Sequence, residues 1–178
     1  MVEVPSEVWS LLGVVLGFTL GEGCRIIREK CRTRRLKHTI ESELRTILAQ
    51  IKDKKDILSQ AVAALNNRAV LPMAAVRMIT HGYYLHVEEI YKSYSDIERN
   101  CLHVIYERVR VADQHMESFQ DDFMRAKKDG LLKDPWQAYV GHLEDIIDSY
   151  ERVEQYIKGF IAGEPEDVFH TKARHQSP

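Results

Sequence analysis

The sequence predicts an all-α protein: an N-terminal single transmembrane helix continuing into a cytosolic antiparallel helical bundle of about four segments. Three observations carry this expectation. Apolar residues recur at steps of three and four from Ile40 to Phe160, no stretch alternates as a half-buried strand would, and charge is sharply segregated over residues 1–38. The chain has 178 residues, 44% hydrophobic, with a formal net charge of -2, enough for one core of ordinary size. This reading divides it into a membrane anchor (1–24), a basic juxtamembrane helix (25–38), a helical bundle (39–162) and a disordered tail (163–178).

The anchor is read from "GVVLGFTLG", residues 13–21. Gly13, Gly17 and Gly21 stack on one face of a helix as two overlapping GxxxG units, a pattern that lets two membrane helices approach closely. In water such a helix is poor, because each interior glycine costs about 0.5–1 kcal/mol against alanine. The uncharged run from Val8 to Gly21 is 14 residues, whereas a bilayer core usually takes about 20. Trp9 as an interface anchor, and Arg25 and Arg28 snorkelling past Ile26 and Ile27, extend the usable stretch from Val4 to Ile27. Acidic residues before the run, and no small-x-small site after it, argue against a cleaved signal peptide.

The next segment is strongly basic. Arg25, Arg28, Lys30, Arg32, Arg34, Arg35 and Lys37 stand against Glu29 alone, while residues 1–23 carry Glu3, Glu7 and Glu22 and no cation. That order places the N-terminus outside and the bundle in the cytoplasm. The cations face anionic headgroups, each contributing about 1 kcal/mol of attraction near the surface. No aromatic residue interleaves with them, so nucleic acid is not an expected partner. Cys24, Cys31 and Cys101 are too few and too oddly placed for a disulfide framework, which fits a reducing compartment, and they form no CxxC pair.

From Ile40 a seven-residue beat sets in. Leu44, Ile51, Leu58 and Leu65 keep one register and Ile40, Ile47 and Ala61 the other, with Lys54 as a polar break. Leu48, Ile57 and Val62 widen the stripe, which suits a helix packed on several others, and Asn66 and Asn67 end it. Pro72 is expected to open a second helical region through Met73, Val76 and Ile79, interrupted at His81 and Gly82, then resumed by Tyr83, Val87, Ile90 and Tyr94. Ser95-Asp96-Ile97-Glu98 reads as a capping box. The helix after it presents Ile97, Cys101, Ile105, Val109, Ala112, Met116, Phe119, Phe123 and Ala126, with Gly130 as its C-terminal cap. Leu102, Val104, Tyr106 and Val111 stray from that stripe, as they would if the helix were covered on two sides. Asp134-Pro135 restarts the chain, and Trp136, Tyr139, Val140, Leu143, Ile146, Ile147, Tyr150, Val153, Ile157 and Phe160 line one face of a last helix.

Chemistry is sparse. There is no GxxxxGK[ST] loop, GxSxG elbow, HExxH or GxGxxG, and the Glu-x-x-His spacing of carboxylate-bridged bundle metals is missing from the helical segments. Cys101 falls on an apolar face, as a structural thiol does. The expectation is therefore a non-enzymatic membrane-anchored interaction or scaffold protein with no catalytic residue, cofactor or metal. Its partners would be the bilayer, a second copy or another membrane helix, and a cytosolic protein. A membrane effector or pore-forming assembly is the alternative, and an enzyme or ligand-binding bundle with an unrecognised site stands behind it.

Overall fold

A computed structural model describes residues 6–69, 76–129 and 136–165, with side chains from Gly13 onward except Val14. Among these residues every regular element is helical: α1 (Ser6–Asn66), α2 (His81–Leu85), α3 (Val87–Ser93), α4 (Asp96–Lys128) and α5 (Trp136–Ala162). α1 is a single helix of 61 residues, about 90 Å long at 1.5 Å per residue. It runs through both the glycine stretch and the basic block without a break. It ends where Arg68 takes a positive φ of 57° and Ala69 N–H reaches back to Ala64 C=O at 2.9 Å, closing the orphan carbonyls of the last turn.

The chain runs up, down, up and down. α4 is parallel to α1, because Lys37 meets Glu98 and Lys54 meets Asp113. α5 returns antiparallel to both: Lys55 pairs with Glu151 and Glu154, and Phe123 packs edge-on against Tyr139. The α2–α3 segment lies antiparallel along α1 as a strap. Spacings of eleven and seven residues set Arg32, Glu43 and Gln50 along one line of α1, and each holds the strap. Arg32 Nη2 donates to Glu89 at 2.7 Å, Gly82 and Tyr83 N–H donate to the Glu43 carboxylate at 3.1 Å each, and Ile79 N–H donates to Gln50 Oε1 at 3.2 Å.

The heptad residues Ile40, Leu44, Ile47, Ile51, Leu58, Ala61 and Leu65 are all buried. Ile57, expected to widen their stripe, is exposed. In α4 the stripe from Cys101 to Phe123 is buried, and of the four residues that stray from it Leu102 and Tyr106 are buried while Val104 and Val111 are half-buried. The second cover of Tyr106 is the protein's own strap: Tyr83 stacks on it with ring centroids 4.1 Å apart. Ser95 and Glu98 form the expected capping box, Ser95 N–H donating to Glu98 at 2.7 Å and Glu98 N–H to Ser95 Oγ at 3.3 Å.

The second helical region differs from expectation. Residues 76–80 are not helical, Val76 and Ile79 are exposed, and the helix begins at His81, where the interruption was expected. Glu43 explains this, since its carboxylate takes the first amides of α2 and so starts a helix at a place where local sequence ends one. Pro72, Met73, Gly130 and the Asp134-Pro135 start lie outside the described residues, as does the tail beyond Pro165.

Candidate functional site

Among the described side chains of α1 the first buried one is Leu36. Before it, over about half the helix, α1 forms an arm in which no described side chain is buried. Gly13, Gly17 and Gly21 have open space where a Cβ would stand, with nothing within 4 Å. Val15, Leu16, Phe18, Leu20, Ile26 and Ile27 are exposed, Phe18 to 71%. In water this is a costly surface, since burying one such side chain fully is worth about 1.5–3 kcal/mol. Thr19 is turned inward on its own helix, its hydroxyl donating to Val15 C=O at 2.9 Å. The side chain of Trp9 lies outside those described.

The predicted transmembrane span finds no support in the described helices: none is long and apolar enough to cross a membrane. The reason is the short reach of the apolar run, closed by Glu22 and followed at once by the basic block.

The seven cations divide into three sets. Arg25 lies near Glu22 and Glu29 on its own helix, at 3.6 and 3.4 Å. Arg32 and Lys37 turn to the bundle: Arg32 meets Glu89, and Lys37 meets Glu98 at 3.5 Å with its ammonium 4.6 Å from the Tyr94 ring centre. The Glu89 carboxyl is held below its ordinary range by its own backbone amide and then by Arg32. Burial pushes Glu98 up, but the Ser95 hydrogen bonds and Lys37 outweigh it and leave the carboxyl lowered. Arg28, Lys30, Arg34 and Arg35 make no ion pair among the described residues and stay exposed. Cys24 and Cys31 are exposed and free.

A second polar centre, absent from the sequence reading, lies inside the bundle. Asp113 is the one charged residue buried among those described. Its Oδ1 accepts from Lys54 Nζ at 2.6 Å and from the Tyr150 hydroxyl at 2.9 Å, and its Oδ2 accepts from Met78 N–H at 2.6 Å. One carboxylate thereby joins α1, the entry to α2, α4 and α5. Lys54, the polar break in the heptad, was its only sequence signal. Burial and then the adjacent Asp113 charge raise the Tyr150 pKa, keeping the hydroxyl a donor. With all its donors supplied from within, the cluster works as a bolt between helices.

At the strap, the Glu43 carboxyl is raised by burial, which outweighs the Gly82 and Tyr83 amides, the nearby Tyr106 hydroxyl and the His81 charge. The Tyr106 hydroxyl is wholly buried and makes no hydrogen bond of normal geometry, although burial and then the nearby Glu43 charge raise its pKa. Cys101 is buried, and burial pushes its thiol up to about 12. It is a packed, protonated thiol. No group of His, Cys, Asp and Glu among the described residues is arranged to hold a metal. No protein family, curated protein or solved structure matches the chain.

Proposed function

We propose that the protein is a membrane-anchored helical interaction protein whose α1 arm is the anchor. The observation that supports this is the arm's surface: exposed apolar side chains from Val15 to Ile27, followed directly by Arg28, Lys30, Arg34 and Arg35, which make no ion pair among the described residues. A helix apolar on most sides needs a nonaqueous surrounding, and cations beside it suit anionic headgroups. The arm enters the bilayer with the N-terminus outside and the bundle in the cytoplasm, the side on which positive flanks are retained. There the glycine face of Gly13, Gly17 and Gly21 packs on a second copy or another membrane helix. The bundle, clamped by the Asp113 bolt, is presented to a cytosolic protein.

The test is alkaline extraction of membranes from cells expressing the full chain, combined with protease added to intact spheroplasts. The proposal expects retention in the pellet and a protected bundle. Release into the soluble fraction overturns anchoring, and cleavage of the bundle from outside overturns the orientation. Gly17→Leu is expected to abolish the crosslinked oligomer in membranes while leaving extraction unchanged.

A further inference from the structure

The strap fills a gap that the long helices leave. α1 and α4 each pack along α5, and they reach one another by long side chains at two levels, Lys37 to Glu98 at 3.5 Å and Lys54 to Asp113 at 2.6 Å. The strap is tied at both levels. At one end the buried Met78 donates its N–H to Asp113 Oδ2. At the other the buried Tyr94 ring faces the Lys37 ammonium, and Ser95 enters the capping box of α4.

Between those ends the hold is slight. Of residues 79–93 only Tyr83 and Ile90 are buried, while Ile79, Tyr84, Leu85 and Tyr91 are exposed. α2 and α3 have five and seven residues, far below the roughly 12–15 at which an isolated helix becomes even marginal in water. Neither Thr80 nor His86 caps its helix with a side chain. The remaining hold comes from α1: the Glu43 carboxylate on the Gly82 and Tyr83 amides, Gln50 on Ile79 and Arg32 on Glu89.

The strap also covers two polar groups that water would serve better. Glu43 is a carboxylate whose burial works against its charge. The Tyr106 hydroxyl, on the ring that Tyr83 stacks against, is wholly buried and makes no hydrogen bond of normal geometry. Both groups carry a desolvation penalty that opening removes.

We propose that residues 79–93 form a flap that leaves α1 and α4 as one unit, between fixed ends at Met78 and Tyr94, while the three long helices stay packed. Opening hydrates Glu43 and Tyr106 and uncovers the α1–α4 gap between the two ion pairs. The Tyr83 stack, Ile90 and the three α1 contacts oppose it, so the open form is the minor state. The proposal does not depend on what the arm binds.

The experiment is amide hydrogen exchange, followed by NMR, on the full chain in detergent micelles at rising sub-denaturing urea. The hydrogen-bonded amides of Tyr83, His86 and Ile90 are expected to exchange through one common opening, less protected than α4 and α5 and with a much shallower dependence on urea. Two variants, one in each short helix, test the unit. Gly82→Ala pushes the Glu43 carboxylate off its amides and should lower protection roughly tenfold or more, by the same factor in α3 as in α2. Ile90→Ala should strip protection from α2 as well as α3, while α4 and α5 stay protected. Strap amides that share the protection and urea slope of α4 and α5 overturn the proposal, since the strap then opens only when the bundle unfolds. A loss confined to the substituted helix also overturns it, because that is local fraying, and so does loss of α4 and α5 protection in Ile90→Ala.

Discussion

The two halves of α1 share one unbroken helix and obey different physics. From Leu36 to Leu65 the helix is held by its neighbours, with Ile40, Leu44, Ile47, Ile51 and Leu58 completely buried. From Gly13 to Arg35 no described side chain is buried, and the large apolar ones face outward. Hydrophobic content separates them only slightly, with 9 apolar residues among the 23 from Gly13 to Arg35 and 14 among the 30 from Leu36 to Leu65. The difference lies in patterning and partners: the bundle half confines its apolar residues to a stripe that α5 and the strap cover, and the arm spreads them around the helix. A helix of this length therefore tells little about where stability resides.

The contrast can be broken experimentally, most severely at the bolt. Asp113→Ala strands the Lys54 ammonium, the Tyr150 hydroxyl and the Met78 amide together, an expected loss of about 3–5 kcal/mol in urea denaturation. A loss below about 1 kcal/mol, the size of an exposed pair, would show that the cluster does not clamp the bundle. Next is a matched pair on the one helix. Leu44→Ala should cost about 2–5 kcal/mol, whereas Leu20→Ala should leave bundle unfolding within about 0.5 kcal/mol. Equal losses would mean that the arm folds back on the bundle.

Glycines give a smaller, sign-reversing comparison. A Cβ on Gly82 runs into the Glu43 carboxylate, so Gly82→Ala should cost about 1–3 kcal/mol through the displaced cap. Gly17→Ala meets open space and should raise helicity of the free arm, worth about 0.5–1 kcal/mol, while weakening association in membranes. Circular dichroism and crosslinking read the two effects separately.

The smallest effect is in pH. Glu43 has a raised pKa in the folded protein, so the folded state binds its proton more tightly than the unfolded state. Its contribution is full below the ordinary value of 4.5 and is lost as pH rises through the raised one. Glu98, lowered, behaves oppositely: its contribution is present above 4.5 and is lost as pH falls through the folded value. Urea midpoints followed from pH 3 to 7 should flatten in opposite directions for Glu43→Gln and Glu98→Gln.

Much of the fold was legible in the residues because helix packing writes itself locally. The heptads of α1, the stripe of α4 and most of that of α5 recur at a period the helix itself imposes, and the Ser95 capping box is complete within four residues. The region from Val76 to Gly82 was misread because its governing partner, Glu43, lies about forty positions away and no periodicity points to it. Ile57 and Ile97 were placed in stripes by spacing, but stripe membership says nothing of whether a neighbour is present to cover the position.

By itself, then, the sequence determined that the chain is helical, which residues form the core stripes, and that an apolar, glycine-spaced stretch abuts a dense basic block. Only the tertiary structure decided that Lys54 finds Asp113 and Tyr150, 59 and 96 residues away, that Arg32 and Lys37 turn to the bundle, and that a groove opens beside the end of α5. The physical reason is range. Periodicity and capping are set within a few residues along one helix, whereas the pairing of buried charges and the covering of apolar faces depend on which distant helices pack side by side.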